Sequence, residues 1–519
     1  MKRIFLVAAA VLCLAACCQT ANRGPITTGE DCIAQTTYGQ LLGYNDDGIY
    51  TFKGIRYAKA ERFMPPQEPD SWEGVKRAQS YGHIARQGQN LLAAPLSSPY
   101  DFGFEFKLER EGEDCQVLNV WTPALDGKKR PVFLWIHGGG YSSGSAIFLP
   151  AQDGRALAEK GDIVVVTVNH RLNVLGYINL TGLGGKYSES VNLGQQDLVK
   201  ALEWIHNNIE NFGGDPGRVT IGGQSGGGMK SCSLMAMPSA KGLFHGAIIQ
   251  SGAALSQGNA ELTQQYGIQF VKELGLQPSG DVDLSTFSYE ELVAASNRAG
   301  RIVRGGGLGP VVDGKYIVQN SFTPVAADCA KDVAVLVGTC LNEFNTNCDV
   351  QYTEQQVKDR LVPRMGEEGY NRMKENFFKA YPDAEFKDML NTESNFRKSS
   401  LTLAAAKSEQ GGADCYVYLF GWKTAVNGGA LGASHGCELP FTFNNIANSR
   451  EMTGGTKEAY KMADAISSAW ISFIRTGNPN CKQLPAWEPY TKESGATMFL
   501  DNKSELKHHF DDDFLGINQ

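Results

Sequence analysis

Arg218-Val219-Thr220-Ile221-Gly222-Gly223-Gln224-Ser225-Gly226-Gly227-Gly228 runs from a short β-branched segment into glycine, and residues 229–237 that follow hold no glycine and can continue as a helix. A buried strand that turns sharply into a helix through small residues lifts a serine Oγ clear of a sheet, which is the setting of a nucleophile elbow. Two other stretches, residues 140–144 and 432–436, share the Gly-x-Ser-x-Gly pattern. The first continues a glycine run and the second lies in a Gly- and Ala-rich loop, so only Ser225 has the strand on one side and the helix on the other.

A serine hydroxyl is a weak nucleophile until a base takes its proton, and an acid must orient that base. Behind an elbow of this kind the chain order is serine, acid, histidine. The histidines downstream of Ser225 are His245, His435, His508 and His509. His245 is too close in sequence, and His508 and His509 sit in an acidic tail without metal-ligand spacing. His435 remains as the base. The acid is expected beyond the end of a buried strand, where catalytic groups of parallel sheets gather. Residues 333–338 form a continuous apolar run ending in glycine, and Glu343, five residues later, is the best candidate. A second apolar run, residues 131–136, leads straight into His137-Gly138-Gly139-Gly140-Tyr141. The backbone NH groups of Gly139, Gly140 and Gly226 are therefore the candidate donors to an oxyanion.

The chain resembles the type-B carboxylesterases, which include cholinesterases, bile-salt lipases and bacterial para-nitrobenzyl esterases. The resemblance rests on residues 212–227 and 113–123, on Gly54-Ile55-Arg56-Tyr57-Ala58, Asn169-His170-Arg171-Leu172, Pro310-Val311-Val312-Asp313-Gly314 and Gly477-Asn478-Pro479-Asn480, and it covers nearly the whole chain. It implies Ser225 as nucleophile, Glu343 as acid, His435 as base, and Ser251 as a serine close to the acid. It also implies two structural ion pairs, Arg62 with Glu113 and Arg171 with Asp197. In this family Cys115 bonds an upstream cysteine, but the matching position here is Ala85. That leaves Cys32 as an alternative partner for Cys115, or a free thiol.

Departures from the family pattern bear on substrate. Gln224 stands where glutamate usually precedes the serine, Gly226 replaces alanine after it, and Phe344 follows the acid where glycine is common. Residues 86–114 contain no tryptophan to hold a quaternary ammonium, which disfavours choline esters. The expected fold is α/β: an α/β-hydrolase with a large, mostly parallel central sheet, helices on both faces, and helical insertions over the catalytic edge at residues 255–305 and 350–410. Residues 196–212 and 457–475 keep a helical apolar period, and Gly477 stops the second.

Lys2 and Arg3 precede an apolar stretch, residues 4–16, too short to span a bilayer and suited to a secretory signal. Leu14-Ala15-Ala16-Cys17 resembles a bacterial lipobox. We therefore expect a signal at 1–16, a lipidated tether at 17–28 with Cys17 as the lipidated residue, and one hydrolase domain at 29–519. The location is then the bacterial cell envelope, with a secreted or periplasmic protein as the alternative. Twelve cysteines in an exported chain suggest disulfides, including Cys340 with Cys348 or Cys437. A net charge of −8 gives no reason to expect nucleic acid. No cofactor and no metal is expected, only a small-molecule ester. The reaction expected is serine-esterase hydrolysis through an acyl-enzyme. The other readings are a lipase or carbamate hydrolase of the same chemistry, and a catalytically silent surface-binding module, which the intact Ser225, Glu343 and His435 disfavour.

Overall fold

The computed structural model describes residues 24–87, 110–344, 351–392 and 394–517. Its centre is a 12-stranded sheet. In chain order the strands are β1 (Ile26–Thr27), β2 (Tyr44–Asp46), β3 (Ile49–Arg56), β4 (Val117–Thr122), β5 (Arg130–Ile136), β6 (Val164–Val168), β7 (Gly214–Gln224), β8 (Gly246–Gln250), β9 (Ala334–Cys340), β10 (Cys415–Phe420), β11 (Ala496–Leu500) and β12 (Glu505–His508). Across the sheet they run β1-β2-β3-β4-β6-β5-β7-β8-β9-β10-β11-β12. From β6 to β11 every neighbouring pair is parallel, while the strands on either flank pair antiparallel.

Central parallel strands are covered on both faces, so they read as unbroken apolar runs. Every residue of β5, β6, β8 and β9 is buried. Alternate residues feed opposite layers because successive side chains point to opposite faces. Leu134 and Ile136 join one core with Ile221 and Leu202, whereas Phe133 and Trp135 join another with Trp470 and Phe473. Sequence periodicity located two of the helices that close these layers, at 196–212 and 457–475.

The principal helices are α1 (Leu193–Asn208), α2 (Gly226–Leu234), α3 (Ala260–Glu273), α4 (Tyr289–Ile302), α5 (Glu354–Ala380), α6 (Ser394–Glu409) and α7 (Lys457–Thr476). Helix α7 ends on Gly477, whose φ of 75° is a left-handed C-cap that glycine adopts without strain. Helices α3 and α4 build a satellite core of their own, with Phe270 and Leu292 packed against Val174 and Ile178. The stretch 350–410 divides in two. Helix α6 is a sheet-covering helix and not an insertion, because Leu401, Leu403 and Ala404 enter the core with Val335 and Val417. The expected signal and tether through residue 23, and Cys348, lie outside the described residues. No helix among the described residues is long and apolar enough to cross a membrane.

Candidate active site

Five neighbouring parallel strands deliver the site to one edge of the sheet. Strand β5 runs into Gly138-Gly139-Gly140, β7 into Ser225, β8 into Ser251, β9 into Glu343, and the loop beyond β10 carries His435. Parallel strands share one carboxyl edge, which is why residues scattered over three hundred positions of sequence meet there.

Ser225 has φ 57° and ψ −125°, a strained conformation for a residue with a side chain. The turn is tight because the glycines around it admit backbone where a methyl would stand. A Cβ on Gly227 would lie 2.0 Å from the Ile136 carbonyl oxygen. Ser225 N donates to Gln250 O at 2.8 Å, and Met229 N donates to Ser225 O at 3.1 Å, so strand β8 and the first turn of α2 hold the serine from both sides. Ser225 Oγ makes no hydrogen bond to another described side chain.

Glu343 and His435 are tied twice. His435 Nδ1 and Glu343 Oε2 are 2.5 Å apart, and His435 N donates to Glu343 O at 2.6 Å. Asn342 reinforces the tie. Its N donates to Ala433 O at 2.9 Å and its Oδ1 accepts from Ala433 N at 3.1 Å, which straps the acid loop to the histidine loop. The second carboxylate oxygen of Glu343 accepts from Cys340 N at 2.9 Å. Glu343 is fully buried, and both its oxygens are occupied, so the pairing is rigid.

The glycine loop packs directly on the elbow. A Cβ on Gly138 would stand 3.5 Å from Ser225 Cβ, and a Cβ on Gly226 would stand 2.5 Å from Gly140 N. Gly139 and Gly140 have φ of 87° and 60°, and Ser142 N and Ser143 N both donate to Gly139 O, which closes the loop.

Several expectations need correction. Ser251 is buried with φ 47°, and its N donates to Gly338 O at 2.8 Å, but its Oγ makes no hydrogen bond to Glu343 or to any other described residue. The disulfide pairings among described residues are absent. Cys32, Cys115, Cys340 and Cys437 are all free. Cys340 Sγ instead donates to Glu438 Oε2 at 3.0 Å, and Cys437 Sγ lies 3.0 Å from Ser434 Oγ. Cys115 shares a small apolar cluster with Ala85, so alanine fills the space an upstream cysteine would need. Gln224 is buried with its Nε2 unpaired.

Both ion pairs are present. Arg62 Nε and a terminal nitrogen donate to Glu113 at 2.6 and 2.5 Å. Arg171 does the same to Asp197 at 2.9 and 2.7 Å, and its backbone NH adds a third bond at 3.0 Å.

Sequence reasoning missed Glu438, Phe396 and Lys230, and it gave Phe344 no place beside the histidine. Glu438, fully buried, accepts from Gln250 Nε2 at 3.1 Å and from the Cys340 thiol, and burial raises its pKa above the usual carboxylate value. Its place three residues after His435 was the available signal. Phe344 and Phe396 flank the imidazole of His435, with centroid separations of 4.6 and 5.8 Å. Lys230, four residues into α2, is completely buried. Among the described residues no group of three or more His, Cys, Asp or Glu side chains is placed to hold a metal ion.

Known proteins similar to this chain include esterases and related hydrolases. The sequence profile of the carboxylesterase family matches residues 30–515. The para-nitrobenzyl esterase of Bacillus subtilis is 33% identical over 496 residues, covering 92% of this chain and 96% of that one. The phenmedipham hydrolase of Pseudarthrobacter oxydans is 30% identical, covering 91% and 95%. Among solved structures, an esterase of Clostridium hathewayi described as hydrolysing aliphatic aromatic polyesters superposes with a TM-score of 0.84 at 36% identity, covering 95% of this chain and 99% of that one. The carboxylesterase of Geobacillus stearothermophilus gives 0.74 at 35% identity, covering 92% and 98%. An elbow serine at the carboxyl edge of a parallel sheet, a paired glutamate and histidine beyond it, and these likenesses over nearly the full length lead to one conclusion: the chain belongs to the carboxylesterase family and is a carboxylic ester hydrolase of α/β-hydrolase fold.

Proposed function

We propose that Ser225 is the nucleophile, His435 the base and Glu343 the acid of a two-step acyl transfer. Ser225 Oγ attacks the ester carbonyl while His435 Nε2 takes its proton, and the oxyanion is received by the NH groups of Gly139, Gly140 and Gly226. Glu343 stabilises the imidazolium through Nδ1. His435 then protonates the departing alcohol, and water, activated by the same imidazole, releases the carboxylic acid. The observation that carries this reading is the 2.5 Å bond between His435 Nδ1 and Glu343 Oε2, made at the sheet edge where the strained elbow presents Ser225.

The alcohol half of the substrate is assigned an aromatic group. The leaving oxygen must come within hydrogen-bond reach of His435 Nε2 to be protonated, so the atoms attached to it pass beside the rings that flank the imidazole. Phe344 is 53% exposed, with Phe396 edge-on to it at 5.5 Å. This apolar wall suits a benzyl or phenyl ester.

The test is hydrolysis of a para-nitrophenyl ester series, acetyl through palmitoyl, by the wild type and Ser225→Ala. Turnover lost in the variant supports the assignment, and the preferred chain length separates a soluble-ester esterase from a lipase. Retained turnover in Ser225→Ala contradicts it. Lipid attachment through Cys17 at the cell envelope is part of the same proposal and rests on the lipobox-like sequence Leu14-Ala15-Ala16-Cys17. Two or more chains hold a protein lastingly on a membrane. Labelled palmitate incorporated by the wild type and lost in Cys17→Ser supports it, and a protein released by a detergent-free wash contradicts it.

A further inference from the structure

Helix α2 carries a lysine where nothing answers its charge. Lys230 has no exposed surface, and no carboxylate pairs with it among the described residues. Among the described residues its Nζ makes one hydrogen bond, donated to the His137 backbone oxygen at 3.1 Å. Burial alone draws its pKa down to about 7. An amine held in the core with a single acceptor is costly, and such a group needs a reason to be there.

The acceptor supplies the reason. The His137 carbonyl belongs to the peptide that opens the loop Gly138-Gly139-Gly140, which leaves strand β5 beneath the elbow. Residues four apart lie on one face of a helix, so Lys230 stands one turn below Gly226, whose backbone touches Gly140. Helix α2 therefore meets the loop at two levels, through Gly226 at the top and the Lys230 amine below.

The surroundings fix the amine further. The imidazoles of His137 and His170 stack at 5.1 Å with an 18° interplanar angle. Burial first and the charge of Lys230 second hold both rings well below the ordinary histidine range, so neither competes as a cation. His137 Nδ1 lies 2.8 Å from Gly138 O and His170 Nδ1 lies 2.9 Å from Arg171 O. The ring and the amine thus grip the two carbonyls on either side of Gly138.

We infer that Lys230 is a positioning residue for ester hydrolysis: its buried ε-amino group ties helix α2 to the His137 carbonyl and so fixes the Gly139 and Gly140 NH groups relative to that of Gly226. This rests on the oxyanion assignment made above. Three donors share one oxyanion only if the loop and the helix keep their spacing, and a misplacement of about 1 Å can cost a hundredfold in rate.

Lys230→Met keeps the apolar stem and removes the donor, while Lys230→Gln keeps an N–H donor on a side chain one atom shorter. The expected result for Lys230→Met on para-nitrophenyl acetate is a kcat lower by about tenfold or more, KM within about threefold, and a parallel weakening of inhibition by a trifluoromethyl ketone, whose adduct with serine places an oxyanion in the same donors. Lys230→Gln is expected to recover kcat to within about threefold of the wild type. Wild-type kcat and inhibition in folded Lys230→Met overturn the inference, as does a change in KM alone. Should Lys230→Met not fold, Lys230→Gln decides. Wild-type kcat and inhibition there support the tie, and a folded but slow Lys230→Gln overturns it. A failure of the underlying reading shows separately, as turnover by Ser225→Ala.

Discussion

Gly226 and Gly140 meet backbone to backbone, so that a Cβ added to Gly226 would fall 2.3 Å from the Gly140 oxygen. Real Cβ atoms do not come that near a carbonyl, so Gly226→Ala must push the glycine loop outward. Two of the three proposed oxyanion donors sit on that loop. We expect Gly226→Ala to lower kcat by about tenfold to a hundredfold with little change in KM, as for a donor displaced from the transition state. Steady-state kinetics on a short-chain ester check it, and an unchanged kcat would show that the loop yields without cost.

Glu343 is bonded through both carboxylate oxygens, one to the His435 ring and one to the Cys340 NH. Glu343→Gln keeps the shape but replaces an acceptor with a donor on one side. The imidazole is then held in the wrong tautomer and its cation loses its partner. The expected loss in kcat is about a thousandfold to ten-thousandfold, with the thermal midpoint nearly kept. Turnover above a tenth of wild type would remove Glu343 from its proposed role.

Phe344 lies against His435, and Phe396 on α6 completes the wall. Removing the ring by Phe344→Gly is expected to lower kcat/KM for benzyl acetate by about tenfold while changing ethyl acetate by less than about threefold. The two substrates share an acyl group, so the comparison isolates the alcohol side. Equal losses on both would mean that Phe344 only steadies the imidazole.

Arg171 and Asp197 form a buried pair, 5% and 0% exposed, joined by two side-chain bonds. Taking away one partner leaves a charge with no counterpart in the core. Arg171→Met is expected to cost about 3–5 kcal/mol of unfolding free energy, measured by urea titration. Arg62→Met, whose partner Glu113 is 37% exposed, should cost far less.

Lys230 also sets a pH signature on stability. Its pKa is about 7 in the folded protein, against about 10.4 in an unfolded chain. Between those values the unfolded state binds a proton that the folded state lacks, so stability rises with pH across that window and the penalty is complete below it. Urea unfolding of the wild type relative to Lys230→Met should therefore improve from pH 7 to 10. Parallel pH curves for the two proteins would contradict a desolvated amine.

The sequence made the local features legible and left the long-range ones hidden. The strand expected at 131–136 is Arg130–Ile136, and the helix expected at 457–475 is Lys457–Thr476, because each has a strong apolar pattern and the second a glycine stop. Helical character at 196–212 resolves into Leu193–Asn208 and a 3₁₀ turn at Ile209–Phe212. The elbow was readable from its glycines together with the β-branched run before them and the glycine-free stretch after. By contrast, α6 was misplaced because its polar residues hide the apolar face formed by Leu401, Leu403 and Ala404. Glu438 and Phe396 meet their partners at Cys340 and His435 across long separations in sequence. Lys230 gives no local sign of its burial, since the backbone oxygen it donates to, at His137, is 93 positions away in sequence. Among the described residues the expected disulfides are absent, and the sulfurs at Cys340 and Cys437 face a carboxylate and a hydroxyl.

The central claim is that an acyl group passes through Ser225. Acid-quenching the wild type a few milliseconds after mixing with para-nitrophenyl acetate, followed by mass spectrometry of its peptides, tests this directly. The account requires one acetyl group on the peptide that contains Ser225, absent from Ser225→Ala. Acetyl on another serine, or turnover with no acetylated peptide at any quench time, would contradict it.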